Sequence, residues 1–381
     1  MKLPVYLDYN ATTPVDPQVA GAIEPYLREH FGNPSSDHVY GRRAKKAVIR
    51  ARQEVAALIG AIPEEMIFTG CATEANNLAI QGIARALWPR KRHLITSAVE
   101  HPSVMQPFLR LRDEGWSVTI LPVDGDGRVE PAAVAKNLHD DTALISVMHA
   151  NNETGAIQPI AEIAAIAQLH DILLHTDAAQ SVGKITVNVD SLKVDLLTLA
   201  GHKFYATKGV GALYIRQGTP CLLPITVGAS HEWGMRPGTE NVPALVGMGA
   251  AARLVPEQLA SEAPRIAILR DRLYQQLRQS IPGLALNGPP SDRLPNTLNI
   301  SFPGVNGRDL LEAAASDIAA SVGSACHTEK GGAADGVLTA MALPAERIAG
   351  AVRLSLGTPT TNADIDHAAR ALAAAWKSLS K

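Results

Sequence analysis

The sequence predicts an α/β protein of two domains, the larger one built on a mainly parallel sheet. Three observations lead there. Through the middle of the chain, short β-rich runs alternate with amphipathic stretches, the pattern of a parallel sheet covered on both faces. Polar and titratable residues gather directly behind several of those runs, where open α/β sheets bind their ligands. A second, smaller set of strand and helix patterns follows a long helical region rich in Ala, Leu, Arg and Gln, and 381 residues suit two domains of roughly 100–200 residues each.

The elements follow in order. "GRRAKKAVIRAR" (41–52) is helical, with Ala44, Ala47, Val48 and Ala51 on one side; its cations form a solvated face rather than a nucleic-acid site. "FTGCATEANN" (68–77) carries a strand into Gly70 and then a helix, continued over 74–86. "HLITSAV" (93–99), "ALISVMH" (143–149), "ILLHTD" (172–177), "DLLTLAG" (195–201) and "GVGALYIR" (209–216) read as buried strands, with helices over 103–114 and 160–170 between them. A helical region from about 243 to 280 bridges to the second unit, which holds "PNTLNISF" (295–302), "AVRLSLG" (351–357) and a closing helix over 363–379.

Composition narrows the function. Apolar residues make up 46% of the chain, enough for a real core, and a net charge of −2 gives no overall attraction to nucleic acid or to an anionic membrane. Neither is an expected partner. The opening "MKLPVYLDYNATTP" lacks an apolar signal core, and no apolar run is long enough to span a bilayer, so a cytoplasmic protein is expected. Cys71, Cys221 and Cys326 are odd in number and far apart, which suits neither a disulfide framework nor a metal site.

Several strand ends carry groups with chemical potential. Lys203 follows "LLTLAGH" directly; a lysine there is either a solvated charge or a reactive amine. Asp177 closes another strand, either as a helix cap or as partner of a protonated ring nitrogen, as in a lysine-bound pyridoxal phosphate. The start of the helix at Thr73 offers free N–H groups and a dipole that favour an anion. His101, after a third strand, could stack on a flat cofactor and exchange protons. "HANNETG" (149–155) brings amides to a fourth. Cys326 sits in "SVGSACHTEKGG" (321–332), among small residues and glycines, in a loop that could carry a side chain to a reaction centre.

Taken together, "YLDYNATTP" (6–14), "FGNPSS" (31–36), "ATEANN" (72–77), "EHPSV" (100–104), "ANNETG" (150–155), "HTDAAQSVGK" (175–184), "GHKFY" (201–205), "RPGTENVP" (236–243), "RLPNTLNISFPG" (293–304), "GSAC" (323–326) and "VRLSLG" (352–357) resemble the cysteine desulfurases dependent on pyridoxal 5'-phosphate. These NifS/IscS-like enzymes are fold-type I transferases of the class-V aminotransferase kind, in the group whose catalytic cysteine lies on a long loop. The resemblance implies that Lys203 is the Schiff-base lysine, Asp177 the partner of the pyridine nitrogen and Gln180 that of the ring hydroxyl. His101 stacks on the ring; Ala72, Thr73 and His202 hold the phosphate; Thr239 reaches the phosphate of the other subunit of a homodimer. Asn152, beside the cofactor, and Arg353 take the substrate carboxylate, for which a guanidinium fork is well shaped. Cys326 is the nucleophile.

The implied reaction converts L-cysteine to L-alanine and leaves a persulfide on Cys326 for a protein acceptor. That acceptor would serve iron–sulfur assembly, thio-modification of nucleic acids or DNA phosphorothioation. A selenocysteine lyase or small-amino-acid aminotransferase of the same fold, or a non-catalytic scaffold, are the alternatives. The domains implied are 15–257, and 1–14 with 258–381. A nearby carboxylate keeps the ring nitrogen charged, a freed Lys203 amine can act as base, and Cys326 must ionise, helped by His327 or His101. The chain also departs from the pattern. Ala200 stands where the family usually has serine, Cys71 where glycine is commoner, Thr358 where arginine is frequent, and "HTEKGGAADG" (327–336) replaces a serine-rich stretch.

Overall fold

The computed structural model describes residues 3–322 and 336–380. Strand β1 (Val5–Tyr6) is followed by helices α1 (Pro17–Arg28) and α2 (Val39–Leu58). Strand and helix then alternate: β2 (Met66–Thr69), α3 (Ala72–Leu87), β3 (His93–Ser97), α4 (Pro102–Asp113), β4 (Ser117–Leu121), α5 (Pro131–Lys136) and β5 (Thr142–Ser146). The series continues through α6 (Ile160–Leu169), β6 (Leu173–Asp177), α7 (Val189–Leu192), β7 (Leu196–Ala200) and β8 (Gly211–Ile215).

Among the described residues these strands form a seven-stranded sheet in the order β2-β8-β7-β6-β5-β3-β4. β8 runs antiparallel to both β2 and β7, and the remaining pairs are parallel. All but β8 therefore end at the same edge. β3, β5 and β7 are buried along their whole length, as expected of strands covered on both faces. Gly211 lies where β8 passes the start of α3; a Cβ there would stand 2.6 Å from the carbonyl carbon of Cys71 and 2.9 Å from the nitrogen of Ala72. Only glycine lets that crossing close.

The long helix α8 (Val242–Ser280) leads to the second unit: β9 (Ala285–Leu286), β10 (Thr297–Ser301), α9 (Gly307–Ala313) and β11 (Ile318–Ala319). It ends with α10 (Val337–Ala340), α11 (Ala345–Ala349), β12 (Ala351–Ser355) and α12 (Asn362–Leu379). β12, β10 and β9 make an antiparallel sheet, and β11 pairs with β1 from the other end of the chain. A reciprocal cap between Thr361 and Asp364 opens α12, satisfying two otherwise free helix N–H groups. One core cluster draws on residues from Val19 to Val255, and a separate one joins Leu7 to residues from Ile266 to Ala375.

Candidate active site

The shared edge of the parallel strands gathers most of the expected groups around one cavity of about 310 Å³. Its wall includes Ala72, Thr73, His101, Asn152, Asp177, Gln180, Ala200, His202 and Lys203. That volume suits a small ligand or cofactor, whose pockets run from about 300 to 1,000 Å³.

Asp177 ends β6 and is buried. One carboxylate oxygen accepts the N–H of Ala179 at 2.9 Å, and the other accepts the amide of Asn76 at 2.7 Å. The same Asn76 nitrogen donates to Ser103 Oγ at 2.8 Å. Ser103 in turn directs both its hydroxyl and its backbone N–H at Nδ1 of His101, at 2.8 and 3.1 Å. His101 is thereby the cap of α4, with Pro102 in the first helical position, where a missing N–H costs nothing. With Nδ1 used as an acceptor, the neutral ring carries its proton on Nε2. The ring faces the open cavity, yet the surrounding protein and the Lys203 ammonium hold it below the ordinary histidine value, against the pull of Asp177.

Lys203 follows β7 in a tight 3₁₀ turn, Gly201–Lys203. Its Nζ donates to the backbone carbonyls of Asn10 at 2.5 Å and Ala11 at 2.8 Å. Burial, and then the positive charge of Arg353, push its pKa down to about 8, with Asp177 and Asp8 opposing. A far larger fraction of this amine than of an ordinary lysine is thus neutral and available as a nucleophile or base near neutral pH. Gln180 donates to the same Asn10 carbonyl at 2.9 Å, while its Oε1 accepts from Lys184. Burial holds Lys184 well below the ordinary lysine value. Asn10 is the hub of this side: its side chain binds Lys184, Asn296, Thr297 and the carbonyl of Asn152, and its N–H donates to Ser355.

At the opposite end, Ala72 and Thr73 open α3 ahead of its first intrahelical bond, which Ala75 N–H makes to Cys71. Gly70 does not share in this anion cup. Its N–H is taken by Glu74 Oε2 at 2.6 Å, and Arg236 holds the other oxygen of that carboxylate at 2.9 Å. His202 contacts Thr12 Oγ1 at 3.2 Å; burial and the neighbouring lysines lower its pKa to about 4, so its ring is neutral near pH 7 and could serve an anion only as a neutral donor. Ala200 contributes no hydroxyl to the wall.

Arg353, on β12, stands behind Asn152 rather than on the wall. It donates to the Asn152 carbonyl at 3.1 Å and pairs with Asp8 at 2.7 Å. Thr239 is exposed and lies off the cavity wall. Cys326 and His327 fall outside the described residues. Asn76, Ser103, Asn10, Lys184 and Asp8 were not singled out from the sequence. "LDYN" and "SVGK" lie inside quoted motifs, but nothing local distinguishes these polar residues from surface ones.

The donor set fits pyridoxal 5'-phosphate. A carboxylate for a ring nitrogen and a helix start with a neutral histidine for a phosphate lie at two ends, and a low-pKa lysine amine lies between. Among the described residues no cluster of three metal-binding side chains occurs.

The sequence pattern of the aminotransferase class-V family matches residues 5–367. The cysteine desulfurase IscS of Dictyoglomus turgidum is 47% identical over 368 residues, covering 96% of this chain and 93% of that protein. A solved NifS-like protein superposes with a TM-score of 0.92 at 35% identity, over 98% of this chain and 99% of the other. A structure of SspA in complex with cysteine gives a TM-score of 0.82 at 34% identity, over 92% and 98% of the two chains. This chain belongs to the aminotransferase class-V family, among its cysteine desulfurases of the IscS and NifS group.

Proposed function

We propose that the chain removes sulfur from L-cysteine, releases L-alanine, and carries the sulfur as a persulfide on Cys326 to a protein acceptor. The convergence of Asp177, Lys203, His101, Gln180 and the start of α3 on one cavity carries this reading. The family depends on pyridoxal 5'-phosphate, which when bound supplies the electron sink for breaking bonds at the substrate's Cα and Cβ. Asp177 holds a proton on the ring nitrogen, with Asn76 fixing its carboxylate. Gln180 offers a donor to the ring hydroxyl, since its oxygen is committed to Lys184. Ala72, Thr73 and His202 receive the phosphate. Lys203 would hold the cofactor through its amine and, when that amine is free, would take the Cα proton. Asn152 and Arg353 orient the substrate carboxylate.

In the sulfur step the Cys326 thiolate attacks the substrate sulfur. An S–S bond forms, the Cβ–S bond breaks with its electron pair left on the organic fragment, and protonation makes the methyl group of alanine. His101, with its proton on Nε2, supplies or takes up protons there. No outside oxidant is consumed.

Iron–sulfur assembly, thio-modification of nucleic acids and DNA phosphorothioation are all served by acceptors of this class, and a protein acceptor suits each. The protein acts as a homodimer in which Thr239 reaches the partner's phosphate, a reading supported by its exposure away from its own cavity. We assign it to the cytoplasm; no helix among the described residues is long and apolar enough to cross a membrane. The domain division at 15–257 against 1–14 with 258–381 is supported by the two separate core clusters.

Replacing the nucleophile tests the reading. Cys326→Ser should still bind L-cysteine and alter the visible spectrum, while sulfide and alanine formation collapse. Retention of most of the turnover would exclude Cys326 as the nucleophile.

A further inference from the structure

Arg353 has five N–H donors and is 8% exposed at its side chain. Nη1 donates to the Asn152 carbonyl at 3.1 Å, and Nη2 donates to a single oxygen of Asp8 at 2.7 Å. Nε is enclosed and has no partner. Nε and Nη2 form the side-on fork of a guanidinium, two parallel donors spaced for the two oxygens of one carboxylate. One prong is in use and the other is a buried donor left unsatisfied, which a folded protein rarely tolerates without a reason.

We propose that Asp8 is a carboxylate built into the substrate's seat, half-filling the Arg353 fork until the substrate α-carboxylate takes both prongs and displaces it. The proposal rests on the reading of Arg353 as the substrate-carboxylate ligand and adds the residue that competes for it.

The surroundings favour such an exchange. Asn152, whose carbonyl steadies Nη1, lines the cavity. Asp8 keeps 22% of its side chain exposed and so has somewhere to go. Arg353 also pairs through its backbone with Ser321, at 2.7 Å from Arg353 N to Ser321 O, on the approach to the segment that holds Cys326. The exchange conserves charge: one carboxylate leaves the guanidinium as another arrives, and Nε gains the partner it lacks. A thiol amine without a carboxylate cannot make that trade. Asp8 therefore acts as a specificity element, setting a threshold that only ligands with a carboxylate cross, at some cost in affinity for the substrate itself.

The test uses Asp8→Asn in the cofactor-loaded dimer, with two probes: 3-mercaptopropionate, which has the thiol and carboxylate, and cysteamine, which has the thiol and amine. Removing the competing charge should lower KM for L-cysteine about fivefold, within the usual range of coupling between sites, with a far smaller change in kcat. The calorimetric Kd of 3-mercaptopropionate should fall in step, and inhibition by cysteamine should stay as in the wild type. A rise in KM, or an equal shift for both probes, overturns the proposal. Should Asp8→Asn fail to fold, wild-type crystals soaked in 3-mercaptopropionate decide: its carboxylate should sit on Nε and Nη2 with Asp8 beyond hydrogen-bond distance, and Asp8 still paired with Nη2 overturns it. Arg353→Gln separates the two readings. Unchanged 3-mercaptopropionate affinity in that variant would show that Arg353 is not the carboxylate ligand, whatever Asp8 does.

Discussion

The Lys203 amine can be titrated in cofactor-stripped protein, where its environment makes a numerical claim. Burial and the Arg353 charge hold its pKa at about 8. An ordinary lysine near 10.4 is neutral in about one molecule in 2,500 at pH 7. A lysine at about 8 is neutral in about one in ten at that pH, a gain of roughly 250-fold in reactive amine. Trace acetic anhydride labelling, read lysine by lysine by mass spectrometry and scaled to each residue's high-pH plateau, measures that fraction directly. Labelling of Lys203 should reach half its plateau near pH 8. Arg353→Gln removes a repelling cation and should move the midpoint upward; Asp177→Asn removes a stabilising anion and should move it downward. A wild-type midpoint above about 10 would refute the argument from burial, and a downward move in Arg353→Gln would refute the argument from charge.

Other outcomes follow from single contacts. Asn76→Leu deletes the donor to a buried carboxylate, a bond worth about 1.5–3 kcal/mol, so cofactor should dissociate faster on dialysis and Tm should drop; unchanged retention would mean that Ala179 alone fixes Asp177. Ala200→Ser restores a hydroxyl at the phosphate end and should improve cofactor affinity roughly ten- to a hundredfold, whereas equal or faster loss would mean that the phosphate is already fully bonded. Mixing Lys203→Ala with Thr239→Ala protomers should restore activity through one intact site per heterodimer. Activity no higher than either parent would argue that Thr239 acts within its own chain or not at all.

Periodicity revealed the inner strands because they are buried on both faces and almost continuously apolar; β3, β6 and β7 fall inside the runs read from the sequence, and β5 starts one residue ahead of its run. β4 escaped notice. It is one of the two edge strands of the sheet, and most of "SVTIL" is partly or fully exposed, which weakens the apolar signal. α1 was also missed; it opens on Pro17 and carries Pro25 inside it, a residue type that disfavours a helix interior. At the site, residues standing just past strand ends were legible, because the parallel sheet dictates where such ends meet. Asn76, Asn10, Lys184 and Asp8 were not. Asn76 meets Asp177 across 101 positions, and Asp8 meets Arg353 across 345. Lys184 looks like a surface cation until the fold buries it between Asn10 and Gln180.

The tie between the first residues and the last third of the chain bears on how the protein is made. Asn10, whose carbonyl seats the Lys203 amine, is itself held by Thr297 and, 345 residues downstream, by Ser355. At synthesis rates of about 5–20 residues per second, the ribosome needs roughly 20–70 s to deliver Ser355 after Asn10. During that interval α2, α3 and the parallel strands can assemble from neighbouring sequence, while β1 still waits for β11. A nascent chain thus owns its lysine and its anion cup before it owns the clasp that orients them. Cofactor capture becomes a late event in biogenesis, and a shortened C-terminus penalises it without touching any residue of the cavity wall.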